Sequence, residues 1–179
     1  MSPMLRAPLT IEHALLGFLR RQPMHGYEIH QRLKDPAGLR LVWRLKQSQV
    51  YALLAKLDDD GYISGALKPQ ETGPTRRVYR LTKRGQERFR HWVNSPVPHG
   101  REVRQEFLAK FYFARCEGRA VAAQLIQRQR ETCRAWLRAQ RSQADAAHEQ
   151  PFEWLVHEFR AGQIEAILCW LDTCEQALR

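Results

Sequence analysis

Hydrophobic residues recur through the first sixty positions of the chain at the spacing of amphipathic helices. A first helix is indicated by apolar side chains at i, i+3, i+4, i+7 and i+8, namely Ile11, Ala14, Leu15, Phe18 and Leu19. A shorter second helix is predicted over residues 27–34. A third is predicted over residues 48–60, with an inward stripe of Val50, Leu53, Leu54 and Leu57. The chain therefore begins with three helices.

The pattern then changes from helical to extended. Residues 62–67 and 76–81 are rich in β-branched and aromatic side chains and predict two strands, joined by a turn-forming segment from Lys68 to Thr75. Thr82 is placed to cap a fourth helix that points Phe89, Trp92 and Val93 inward. Three helices, a hairpin and a further helix are the element order of a winged helix.

From Pro96 and Pro98 onward the pattern is helical throughout, and two prolines so close together cannot continue a helix. We therefore expect a winged helix-turn-helix domain over residues 1–95 and an all-helical domain over residues 96–179. The predicted fold class is mainly α, with an α+β winged helix at the N-terminal end.

Charge is distributed unevenly along the 179 residues. Residues 1–95 hold 17 Lys and Arg against 8 Asp and Glu, whereas the remaining residues hold 12 against 11. A basic module joined to a neutral one suggests that the first half binds a polyanion. The longest apolar run, residues 166–171, is too short to cross a bilayer, and no signal peptide pattern is visible, so we expect a cytoplasmic protein without membrane contact.

The residue types that carry catalysis or bind metals are scattered. The four cysteines match no zinc spacing, and the seven histidines form no ligand cluster. No nucleophile–base pair or phosphate-binding glycine loop is visible. We expect neither an enzyme nor a cofactor or metal. A redox role for one thiol is an open alternative to simple burial.

The third helix and the hairpin offer a surface suited to DNA. With the apolar stripe inward, Ser48, Ala52 and Lys56 face outward, and Gln49 and Tyr51 lie on the flanks. Small residues allow close approach to the major groove, and polar ones offer donors to it. Cations on the hairpin are placed to reach the minor groove or the backbone; they are Lys68, Arg76 and Arg77. Because neighbouring strand residues face opposite ways, Arg76 and Arg77 need not both point at DNA.

Several separated blocks resemble PadR-type transcription regulators. They are Gly17-Phe18-Leu19, Pro23 to Ile29, Gln47 to Leu57, Asp60 to Ile63, and Arg77 to Thr82 with Gly85. The segment Glu106 to Lys110 with Phe113 is similar to the start of the longer C-terminal domain found in one branch of that family. The resemblance implies a homodimer on a DNA operator, with His25 and Tyr27 near phosphate, Ser48, Gln49, Tyr51, Ala52 and Lys56 toward the major groove, and Arg76 and Arg77 on the wing.

The neutral second half carries apolar faces that a partner chain would cover. The candidate dimerisation residues are Phe107, Phe111, Phe152, Leu155, Phe159, Ile167, Trp170 and Leu171. A pocket for a small aromatic effector is an alternative use of the same aromatic side chains.

The sequence therefore leaves two alternative hypotheses for the function. The first is a DNA-binding transcription regulator, in particular a repressor, that binds an inverted repeat as a homodimer, with residues 48–60 in the major groove and the basic wing 68–80 on the minor groove or backbone. The second is a ligand- or redox-sensing interaction protein in which DNA contact is secondary.

Overall fold

The structure is a computed structural model that describes residues 10–68 and 76–179. The chain divides into two compact units. The N-terminal unit comprises the described residues up to Val93 together with Leu108–Phe113, and the C-terminal unit comprises Asn94–Phe107 and Ala114–Arg179. The predicted boundary after residue 95 did not foresee that Leu108–Phe113 packs with the N-terminal unit.

Three helices open the N-terminal unit: α1 (Thr10–Leu19), α2 (Gly26–Lys34) and α3 (Gln47–Asp59). The last two begin one residue earlier than the periodicity predicts. A short 3-10 segment, Leu39–Leu41, lies between α2 and α3 and buries Leu39. The predicted inward stripe of α3 is confirmed at Val50, Leu54 and Leu57, which are buried, whereas Leu53 is half-buried.

The strands form a three-stranded antiparallel sheet in the order β1-β3-β2, built from β1 (Met24–His25), β2 (Ile63–Lys68) and β3 (Arg76–Leu81). The two wing strands are confirmed. The sequence did not predict β1, because a two-residue strand between Pro23 and Gly26 has no periodicity of its own. It exists because Met24 and His25 pair with Tyr79 and Val78 of β3.

Helix α4 (Lys83–Asn94) follows the wing, and the predicted cap is confirmed. The Thr82 hydroxyl accepts a hydrogen bond from the Gly85 N–H and donates to the Gly61 carbonyl, so it satisfies the helix start and holds the preceding turn. Phe89, Trp92 and Val93 are buried as predicted. The ring of Phe113, from Leu108–Phe113, packs edge-on against Phe18 and Phe89 and completes this core.

The C-terminal part of the chain is helical, with α5 (Glu106–Glu117), α6 (Arg119–Ala146) and α7 (Pro151–Gln176). Helices α6 and α7 form an antiparallel hairpin. Arg130 of α6 is nearly buried and donates to Asp172 and Glu175 of α7 at 2.8 and 2.9 Å. Within residues 10–68 and 76–179, no helix combines the length and apolar character needed to cross a membrane.

Candidate nucleic-acid interface

Helix α3 presents a continuous outer face. Ser48, Gln49, Ala52 and Ala55 are exposed, and the Tyr51 side chain is 41% exposed. The helix dipole adds partial positive charge at the N-terminal end of this face. The structure therefore brings small and polar residues together on the side of α3 that faces away from its own core.

Tyr51 also has a packing role. A β-carbon on Gly26 would lie 2.6 Å from Cε1 of Tyr51, so the ring packs directly over the backbone at the start of α2. Glycine at position 26 allows α2 and α3 to approach this closely. Tyr51 thus fixes the spacing of the two helices and leaves part of its ring at the rim of the α3 face.

The start of α2 lies on the same helix pair. Tyr27 is 51% exposed, whereas His25 is half-buried at the end of β1. The Glu28 carboxylate accepts the backbone N–H of His25 at 2.7 Å, which caps α2. Tyr27 is therefore open to solvent at the start of α2, while His25 mainly shapes the helix start.

Lys56 is exposed, as its predicted outward position on α3 requires, but it also pairs with a carboxylate of α1. Its ammonium group lies 2.6 Å from Oε1 of Glu12, whose side chain is only 2% exposed. A buried carboxylate without a cation is costly, because it loses water and gains no compensating charge. Lys56 therefore stabilises the contact between α1 and α3, and the outward direction inferred from periodicity missed this partner.

Arg77 is likewise engaged inside the unit. Its guanidinium pairs with the Asp58 carboxylate and lies 5.7 Å from the centre of the Tyr79 ring. Asp58 also accepts the Gly65 N–H at 3.2 Å. The Arg77 side chain crosses Gly65 so closely that a β-carbon there would collide with it. One carboxylate near the end of α3 thus holds both strands of the wing.

Beside Arg77, the described wing strands carry three exposed cations, which are Lys68, Arg76 and Arg80. Lys68 and Arg76 are directly opposite each other in the β2–β3 register. Like charges in facing positions repel, so the pair is unfavourable unless an anion lies nearby. Neither has an ion pair with another residue of the described ranges. The predicted turn over residues 69–75 lies outside the described residues.

Sequence reasoning missed three contributors to this surface. Arg44 and Lys46 are exposed just before α3, and the Lys46 N–H donates to the Gln49 side chain at 2.9 Å. Their signal was available, since both cations immediately precede the predicted helix. Asp58 gave no such signal, because only the folded chain brings residues 58, 65 and 77 together.

Burial raises the pKa values of one tyrosine and two cysteines. Desolvation raises the pKa of Tyr79, partly offset by Arg77. Burial also raises the pKa of Cys133, and it raises that of Cys174 to about 11. Both thiols thus stay protonated at neutral pH, which makes them poor nucleophiles and weighs against a redox role for these two.

The candidate dimerisation residues separate into two groups. Phe152, Leu155 and Phe159 of α7 are exposed, at 80%, 55% and 65%. Phe107 and Leu171 have no accessible surface in the single chain, so they cannot lose any on association. The others are half-buried; they are Phe111, Ile167 and Trp170, whose ring packs edge-on against Phe107.

Residues 15–91 match the model of the transcriptional regulator PadR-like family. The chain is 33% identical over 120 residues to the negative transcriptional regulator PadR of Bacillus subtilis (strain 168). That match spans 67% of this chain and 65% of the relative's length.

Two crystal structures of B. subtilis PadR are also similar to the chain. The complex with operator DNA has 26% identity and a TM-score of 0.49, over 96% of this chain and 100% of that one. The complex with p-coumaric acid has 24% identity and a TM-score of 0.43, over 95% and 99%. With its winged helix, its match to the family model and its 33%-identical relative, the segment of residues 15–91 is a domain of the PadR-like family of transcriptional regulators.

Proposed function

We propose that this chain is a sequence-specific DNA-binding repressor that binds an inverted-repeat operator as a homodimer. The observation that carries the proposal is the exposed face of α3 beside the facing cations Lys68 and Arg76. A buried inner stripe, a small and polar outer face and a basic wing together fit a module that inserts one helix in a major groove.

The proposed contacts differ in role. Ser48 and Gln49 read base edges from the start of α3, and Ala52 permits the close approach. Tyr27, Tyr51, Lys68 and Arg76 contact phosphates, and His25 lies next to these residues at the start of α2. Lys56 and Arg77 are assigned to support this surface, because each already pairs with a carboxylate of its own unit.

Repression is favoured over activation by the name of the 33%-identical relative, a negative regulator. A small aromatic effector is a further proposal for this chain, since p-coumaric acid is bound by B. subtilis PadR. Such a molecule would release DNA only if it bound the DNA-free form more tightly than the DNA-bound form. Because a repressor must reach the chromosome, the proposed function includes a cytoplasmic localisation.

Fluorescence anisotropy of the full-length protein tests the function. DNA from upstream of its own gene is compared with a scrambled duplex across a salt series. Repressor function predicts a preference for the native fragment of about a thousand-fold or more at physiological salt. Equal, steeply salt-dependent binding to both would show phosphate attraction alone and would favour the interaction-protein alternative.

A further inference from the structure

A long connection separates α2 from α3, the proposed DNA-reading helix. Residues 35–46 lie between Lys34, where α2 ends, and Gln47, where α3 begins. In a common helix-turn-helix the turn is about three or four residues long, so the turn itself fixes the second helix. The connection here is too long to do so, and contacts from outside it must set where α3 begins.

His30 of α2 supplies such a contact. Its side chain is only 4% exposed, and its Nε2 lies 3.3 Å from the carbonyl oxygen of Leu45. A carbonyl oxygen only accepts hydrogen bonds, so Nε2 carries the hydrogen and donates it. The ring therefore holds a backbone group that lies two residues before the start of α3.

The peptide group that joins Leu45 to Lys46, called here the 45–46 peptide, is held at both ends. Its carbonyl accepts from His30, and its N–H, which belongs to Lys46, donates to Oε1 of Gln49 at 2.9 Å. The carbonyl and the N–H of a trans peptide point in opposite directions, so the two bonds fix the plane of the group between them. The bond to His30 on one side thus controls where the Gln49 oxygen is held on the other.

Packing alone does not explain a histidine at position 30. Its Nδ1 is buried and has no hydrogen-bond partner within residues 10–68 and 76–179. A buried polar atom without a partner lowers the stability of a fold, and a leucine would fill similar space without that cost. What a leucine cannot supply is the donor to the Leu45 carbonyl.

We propose that His30 is a positioning residue for DNA recognition, which acts through the 45–46 peptide to orient the Gln49 amide toward a base edge. The inference rests on the proposed binding of operator DNA through α3. Oε1 of Gln49 is engaged by the Lys46 N–H, which leaves the NH₂ group for the base contact. Guanine, adenine and thymine offer an acceptor to such a donor in the major groove, whereas cytosine offers only a donor. Cytosine is therefore the base that the position contacted by Gln49 rejects most strongly.

Two amide side chains that differ by one methylene group test the contact. Glutamine carries its NH₂ group at about the position of Nε2, whereas asparagine carries it closer to the backbone, at about the position of Nδ1. His30→Gln should therefore keep the bond to Leu45 and His30→Asn should lose it, although both bury the same amide. His30→Leu also removes the donor. Its thermal unfolding midpoint should stay within about 4 °C of wild type, because the unpartnered Nδ1 is removed as well.

Base discrimination is the quantity to measure. Each base pair of the operator is replaced in turn, and the dissociation constant of the altered duplex is divided by that of the operator. The position that Gln49 contacts is the one at which Gln49→Ala loses discrimination. For wild type and His30→Gln the ratio there should reach about tenfold or more, with cytosine giving the largest value.

The two variants without the donor should lose this discrimination. For His30→Asn and His30→Leu the ratio should fall below about threefold, since a contact is lost when its donor is not held within about 0.5 Å. Affinity for scrambled DNA and its salt dependence should stay at the wild-type values, because Lys68 and Arg76 are unaltered.

The position of the His30 ring hydrogen gives a test without any substitution. A histidine-selective nitrogen NMR spectrum of the full-length protein should show this hydrogen on Nε2. A ring with its hydrogen on Nδ1 alone could not donate to Leu45 and would overturn the inference.

The outcomes separate this inference from the proposed function. Equal binding of the wild type to operator and scrambled DNA would overturn the proposed function itself. A wild type that prefers its operator, with unchanged discrimination in His30→Asn and His30→Leu, would overturn only the positioning role of His30. An equal loss of affinity for every duplex would also overturn that role, because it would show a loss of folded protein rather than a misplaced base contact.

Discussion

Lys56 and Arg77 each neutralise a carboxylate of their own unit, and this changes what their substitution is expected to do. Lys56 joins α3 to the buried Glu12 of α1, and Arg77 joins the wing to Asp58. At the scale of single residues, a cation near the DNA surface is therefore either a DNA contact or a support. The pairing geometry decides which.

Lys56→Ala should lower the stability of the fold. Removing the ammonium leaves Glu12 buried without this partner, and we expect a loss of about 1–2 kcal/mol, limited because Lys56 itself is half-exposed. Urea unfolding measures the loss, and Glu12→Gln in the same chain should restore part of it. If the unfolding midpoint were unchanged and operator affinity fell strongly, Lys56 would be a DNA contact rather than a support of the fold.

Asp58→Ala should release the wing from α3. The Gly65 N–H and the Arg77 guanidinium both lose their acceptor. The wing is then less ordered in the free protein, and ordering it on the operator costs binding free energy. We expect the operator dissociation constant to rise about tenfold, or 1.4 kcal/mol. Asp59→Ala removes the same charge from the neighbouring exposed position and should keep or improve affinity, because it reduces repulsion of phosphate. If both variants bound DNA more tightly, charge alone would explain the result and the positioning role would be lost.

At the scale of elements, the register between β2 and β3 decides which charges of the wing are neighbours. It places Lys68 of β2 directly opposite Arg76 of β3. Helix periodicity and turn residues predicted the elements on either side, since those signals are local. The short strand β1 and the link from Asp58 to both wing strands depend on contacts distant in sequence, which no local pattern contains.

Replacing Lys68 and Arg76 together with Ala should weaken operator and non-operator DNA alike. If each meets one phosphate, the slope of log affinity against log salt should become shallower by about 2. Arg84→Ala is the control, since that side chain is held by the Asp60 carbonyl and the Tyr62 ring. A salt slope equal to that of the wild type would place the wing away from the DNA backbone.

At the scale of the whole molecule, the proposed dimer imposes a geometry on its operator. Two α3 helices related by a two-fold axis meet half-sites about 34–36 Å apart, one turn of DNA. An operator with five base pairs inserted between its half-sites should therefore bind only as well as a single half-site, in the same anisotropy assay. Full affinity for the altered operator would mean that the two DNA-binding units are not held rigidly relative to each other, or that one protomer alone binds the operator fully.

The sequence by itself determined the winged helix, the helical second half, the basic first half and the identity of the outer face of α3. These follow from periodicity, turn chemistry and charge, which are written in neighbouring residues. Only the tertiary structure decided that Lys56 and Arg77 are occupied, that Phe107 and Leu171 are internal, and that Leu108–Phe113 belongs to the core of the N-terminal unit. Each depends on a partner far along the chain, and only folding brings such partners into contact.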